Sequence, residues 1–149
     1  MQTASVAARL FGHVDLDDLQ LERGYSPDRA YGNGKLENIL FTAELDRRHR
    51  GDGIAAAAFH PGVVGTSFAR DTTHPMRFLY RTPVINKLFT ISPARGARGL
   101  LWLTENTPGA TWPTGEYFER NKVATSNPQA RDAALATALW DRSAELVGL

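Results

Sequence analysis

Three patterns of apolar and polar positions run along the chain, and each predicts an element. Leu36, Ile39, Leu40 and Ala43 follow the i, i+3, i+4, i+7 spacing of one helix face. That spacing predicts a helix from about Pro27 to Arg50, with Ser26 as N-cap and proline at the first helical position. Arg47, Arg48, His49 and Arg50 suit the negative end of its dipole, and Gly51 suits the stop. The second pattern is a short, continuously apolar run from Gly53 to Phe59, bounded by His60, Pro61 and Gly62. It predicts a strand buried on both faces, as in parallel sheets. The third pattern is a set of shorter amphipathic runs. Ser92 and Pro93 open a helix to about Glu105, with Ala97, Leu100, Leu101 and Thr104 expected on its inner face. Asn127 and Pro128 cap a last helix, with Leu135, Ala138, Leu139 and Leu146 expected inside.

Between these lie less regular stretches. The first ten residues fit the end of a buried strand, and 12–30 read as a loop broken by Gly12, Gly24 and Pro27. Residues 65–92 begin polar and turn aromatic and aliphatic, which predicts a loop followed by one or two short helices. Pro108 to Gly115 reads as a loop, and Glu116 to Phe118 as a short strand. A charged helix feeding a buried strand is half of a βαβ unit, so the class is α/β.

Composition narrows the chemistry. With 149 residues the chain has the length of one ordinary domain, and compaction would bury roughly 68–70% of its unfolded surface. A net charge of +1 offers no basic field for nucleic acid. The absence of cysteine excludes disulfides, a thiolate nucleophile and cysteine-ligated metal. No apolar run approaches the ~18 residues of a membrane span, and the first residues lack a signal-peptide pattern. A soluble cytoplasmic protein is the expectation. His13, His49 and His74 are scattered without partners at i+3 or i+4, so no metal site is expected.

Tyr31 and Lys35 stand four apart on the first helix, which puts both side chains on one face. An ammonium beside a phenol favours its ionised form, so such a pair can move a proton on or off a carbonyl oxygen. The bland reading is a surface aromatic beside a charge. Gly32 and Gly34 lie inside the same helix, each at about 1 kcal/mol against alanine, which suggests a close approach to the backbone. The stretch from His60 to Thr66 follows the buried strand, and ligands of open α/β sheets sit beyond strand carboxyl ends.

The run AYGNGKLENILFT (30–42) resembles the catalytic helix of the short-chain dehydrogenase/reductases, in the branch holding retinol dehydrogenase-like and protochlorophyllide reductase-like proteins. Matches in the same order are DLDDL (15–19), HPGVV (60–64), GEYF (115–118) and LWDRSAEL (139–146). The resemblance implies the C-terminal portion of a Rossmann-like doubly wound parallel sheet, a single partial domain over 1–149. It implies that Tyr31 is the proton donor or acceptor, that Lys35 binds the nicotinamide ribose, and that Ser5 orients the substrate carbonyl. Pro61, Gly62, Val63, Val64 and Thr66 would line the nicotinamide end of NADP or NAD, and 67–92 would form the substrate lid. There are departures. Gly34 stands where serine is usual, Glu37 where alanine is frequent, and Ala4 where a second serine is common. Nothing resembles the family's dinucleotide-binding N-terminal half, with its glycine-rich turn and Asn-Ala-Gly strand end.

The resemblance implies an oxidoreductase acting on a small hydrophobic carbonyl or alcohol, truncated and inactive alone. The alternative is a non-catalytic remnant or a protein-binding module without cofactor. An apolar strand lacking neighbours invites self-association or a homo-oligomer.

Overall fold

The computed structural model describes residues 1–64 and 90–149. Strand β1 (Gln2–Thr3) leads into helix α1 (Ala7–Phe11), and α2 spans Pro27–His49. Strand β2 (Ala57–His60) follows, then α3 (Pro93–Gly96), α4 (Arg98–Glu105), β3 (Glu116–Glu119), β4 (Lys122–Val123) and α5 (Ala133–Val147). The sheet order is β1-β2-β3-β4, with the first two pairings parallel and the last antiparallel.

The start of α2 is built as its sequence predicts. Ser26 accepts a hydrogen bond from the Arg29 N–H, and Pro27 fills the first helical position. The helix ends one residue short of expectation, and Gly53 rather than Gly51 takes the left-handed conformation, at φ 80°. The buried strand is shorter than its apolar run. It begins at Ala57, while Ile54 is exposed.

Alternation along β2 divides the core. Ala58 faces α2 and α5 with Leu36, Ile39, Leu40, Tyr117, Ala136 and Leu139. Ala57 and Phe59 face the other side with Leu103, Trp112 and Phe118. The sheet is thus covered on both faces, as a doubly wound α/β fold requires.

Some expectations fail for identifiable reasons. The turn of α1 lies where only a strand end and a loop are expected; five residues are too few to show a helical period. The inner face of α3 and α4 is Gly96, Gly99 and Leu103, whereas Leu100 and Leu101 are exposed. The glycines are inside because the backbone comes close: a Cβ on Gly96 would lie 2.7 Å from Val64 Cγ2, and one on Gly99 3.3 Å from Phe59 Cδ2. On α5, Ala136 takes an inner position beside Leu139, and Leu146 is exposed where the helix outruns the core. Trp112, in the loop before β3, is fully buried and donates its indole N–H to the Leu103 carbonyl at 3.1 Å.

Candidate functional site

The parallel register aligns the carboxyl ends of β1, β2 and β3. Ser5 follows the end of β1, and the Pro61–Gly62 turn follows the end of β2. Such ends are where open α/β sheets bind ligands. Ser5 Oγ accepts from the Ala7 N–H at 3.2 Å, at the entry to α1. That bond uses an acceptor lone pair and leaves the hydroxyl hydrogen to donate.

Tyr31 sits on the second turn of α2 and is exposed. Lys35 Nζ lies 5.5 Å from the centre of the Tyr31 ring, so the i, i+4 spacing does bring the pair together. Lys35 Nζ also donates to the Thr3 carbonyl at 3.2 Å, and Asn38 Nδ2 donates to the same oxygen at 3.1 Å. Lys35 therefore bridges the helix and the first strand. Asn38 is a residue the sequence reading missed. Its signal was available, since it lies three residues beyond Lys35 and seven beyond Tyr31, on the same helical face.

The two helix glycines differ. A Cβ on Gly32 would lie 2.7 Å from Phe11 C and 2.8 Å from Gly12 N, and one on Gly12 would lie 3.0 Å from the Gly32 carbonyl. Gly32 is the point where the end of α1 crosses α2. At Gly34 an added Cβ meets nothing within 4 Å.

Beyond β2, Gly62 has φ 94°, and a Cβ there would lie 2.8 Å from Ile91 Cδ1. Ile91 N–H donates to the Val63 carbonyl at 2.8 Å, and Val64 forms a parallel bridge with Ile91. Pro61 to Val64 are all half-buried. Thr66 and residues 67–89 of the expected lid lie outside the described residues.

A polar group that sequence reading also missed closes the strand ends. His60 and Glu119 are register partners, and Tyr117 donates its hydroxyl to Glu119 Oε1 at 2.8 Å. Burial holds the His60 imidazole below the usual histidine range, against the pull of Glu119 and with a push from Arg9. Burial, and then the bond to Glu119, push the Tyr117 phenol up. Among the described residues, no group of three or more His, Asp or Glu is placed to hold a metal ion. No helix among them is long and apolar enough to cross a membrane.

The turn at Pro61–Gly62 is held tightly against Ile91, and Lys35 and Tyr31 stand on the neighbouring helix. The link from β1 to α1 is Ala4-Ser5-Val6, without the glycines that let a pyrophosphate rest on a helix N-terminus.

No family model matches the chain. It is 38% identical to human retinol dehydrogenase 13 over 149 aligned residues, covering 97% of this chain and 44% of that protein. It is 34% identical to human retinol dehydrogenase 14 over 139 residues, covering 93% of this chain and 41% of that one. The crystal structure of an uncharacterized protein from Mycobacterium paratuberculosis aligns with a TM-score of 0.66 at 29% identity, over 97% of this chain and 48% of that chain. The chain spans less than half the length of the curated relatives it matches. Over nearly all of its own length the chain is thus similar to part of the retinol dehydrogenases, and its sheet is similar to part of the mycobacterial protein.

Proposed function

We propose that the chain is the proton-transfer and substrate-facing part of an NAD(P)-dependent oxidoreductase that interconverts an alcohol and a carbonyl. The observation that carries this reading is the Tyr31–Lys35 pair, its ammonium 5.5 Å from the ring, on the helix beside the carboxyl ends of β1 and β2. The relatives supply the reaction class, since their names describe dehydrogenases of retinol.

Each residue has a distinct task in this reading. Tyr31 gives its phenolic proton to the carbonyl oxygen in reduction and takes it back in oxidation. Lys35 sets its positive charge beside the Tyr31 ring and holds the nicotinamide ribose. Ser5 donates its hydroxyl hydrogen to the substrate oxygen, the Ala7 N–H having fixed the orientation of Oγ. Pro61, Gly62, Val63 and Val64 line the nicotinamide end, while Thr66 and residues 67–89 of the expected lid lie outside the described residues. NADP or NAD, when bound, supplies the hydride chemistry. A small hydrophobic aldehyde or alcohol is the substrate class that the relatives' names suggest. The 149 residues act as one partial domain, and alone they are inactive, because nothing among the described residues cradles a pyrophosphate.

The test is a chimera. The part of human retinol dehydrogenase 13 that precedes its match is fused to this chain, and NADPH oxidation with retinal is followed. Activity in the chimera, lost by a hundredfold or more in Tyr31→Phe, is the expected result. Near-normal turnover of Tyr31→Phe would remove Tyr31 from its role.

A further inference from the structure

Ser5 lies just past the end of β1, and α2 carries Tyr31 and Lys35. The strand is two residues long, so few ladder bonds hold it. Thr3 is the register partner of Phe59, and the Ala4 N–H donates to the Phe59 carbonyl at 2.9 Å. The spacing of Ser5 and Tyr31 therefore depends on what else fastens β1 to α2. The Thr3 carbonyl, two residues before Ser5, is such a point. It accepts from Lys35 Nζ at 3.2 Å and from Asn38 Nδ2 at 3.1 Å. A carbonyl oxygen has two lone pairs, so both donors can be held at once.

The two donors are unequal as fasteners. Fixing a lysine gives up the freedom of a long stem, and its ammonium is readily solvated. Asparagine has a short stem and a planar amide, so less freedom is lost when its bond forms. Lys35 also has a second attraction, the Tyr31 ring, whose centre lies 5.5 Å from Nζ. Asn38 is half-buried, one turn beyond Lys35 and two beyond Tyr31 on the same helical face. Its bond to Thr3 can persist while the lysine turns away.

We propose that Asn38 is a positioning residue, the standing tether between the strand of Ser5 and the helix of Tyr31, and that it lets Lys35 leave the Thr3 carbonyl without moving β1. With Asn38 in place, Ser5 and Tyr31 keep their spacing whichever partner the ammonium takes. Without it, the strand is left loose each time Lys35 turns to a ligand. The tether stands apart from any reaction, whereas its consequence for turnover rests on the oxidoreductase reading above.

Amide hydrogen exchange in the 149-residue chain tests the tether, with the Ala4 N–H as the probe of β1. Asn38→Leu removes the donor at similar volume and should speed that exchange about three- to tenfold, the worth of one neutral hydrogen bond. Lys35→Met should change it by less than about twofold. Asn38→Ala takes the place of Asn38→Leu if the latter fails to fold by circular dichroism. Unchanged exchange in a folded Asn38 variant, or equal acceleration by Lys35→Met, overturns the proposal. The chimera tests the freedom of Lys35. There Asn38→Leu should lower turnover about tenfold and leave the affinity for NADPH, read by fluorescence titration, within about twofold. Asn38→Asp also loses the donor, but it sets a carboxylate three residues from Lys35 that captures the ammonium, so it should weaken NADPH binding at least about fivefold. A merely structural role would move these two near-isosteric variants alike, and equal NADPH affinities overturn the freedom assigned to Lys35. If the wild-type chimera binds no NADPH and reduces no retinal, the oxidoreductase reading falls, and the exchange rates alone uphold or overturn the tether.

Discussion

The two ends of α2 handle charge in opposite ways. Near its start, Lys35 is half-buried, and the hydrogen bonds it and Asn38 make go to one neutral carbonyl. Near its end, Glu44 and Asp46 are buried, at 1% and 2% exposure, Glu44 held by Arg47 and Arg48 of the same helix and Asp46 by Arg50 at its C-cap. Arg47 grips Glu44 with two bonds of 2.7 and 2.6 Å, and Arg48 spans from Glu44 to Asp141 on α5 at 2.6 and 2.7 Å. Arg48 also lies over the Trp140 ring, which stacks on Phe41 at 5.2 Å. Charges at the far end are neutralised where they stand, and this fastens α5 to the helix. Among the described residues the cation at the near end has no carboxylate bound to it and can change partners. A charge resting on a neutral carbonyl is better suited to chemistry than one locked in an ion pair.

The largest expected effect tests the near end. In the chimera, Tyr31→Phe should lower turnover by a hundredfold or more, while Arg47→Ala, at the far end, should leave it within about twofold; equal losses would erase the distinction. Next, Gly32→Ala should destabilise the chain by about 2–3 kcal/mol in urea unfolding, because the new methyl meets backbone atoms of Phe11 and Gly12 that cannot swing aside. Third comes acid. The Arg47 and Arg48 bonds hold the Glu44 carboxyl down to about 2, against burial, from an ordinary 4.5. Its stabilising contribution is complete above pH 4.5 and disappears as pH falls towards 2. With an allowance for solvent around the arginines, that loss is about 1–3 kcal/mol. Unfolding at pH 7 and pH 3 should show it, and Glu44→Gln should flatten the difference. The smallest effect has the opposite sign. Gly34→Ala places its methyl in open space and relieves the helix, so a gain of about 0.5–1 kcal/mol is expected in the same urea assay. A loss there would mean that Gly34, like Gly32, is needed for packing.

Legibility in the sequence followed local physics. Ser26 and Pro27 announce the start of α2 because capping is decided within four residues. The proximity of Tyr31 and Lys35 follows from helical spacing alone. The inward glycines of α3 and α4 were hidden, since a count of apolar side chains cannot see a face made of backbone. The burial of Glu44 and Asp46 was hidden for a related reason: a carboxylate reads as solvent-facing until the arginines that neutralise it are placed in three dimensions. The Lys35 and Asn38 bonds to Thr3 depend on how α2 crosses β1, more than thirty residues earlier, and no local pattern records that crossing.

The ties between the chain's two extremes bear on how it folds. Asn127 donates to the carbonyls of Ala8 and Gly12 at 3.1 and 2.7 Å, and Gln129 both donates to and accepts from the backbone of Val14 at 3.0 Å. These contacts join residues 115 to 119 positions apart. Closing such loops costs entropy before any contact repays it, which makes folding slow. On the ribosome, the segment after Ser5 has to wait for Asn127 and Gln129 to emerge before it gains its final hydrogen bonds. The loop beside the candidate serine is therefore synthesised well before the residues that fix it.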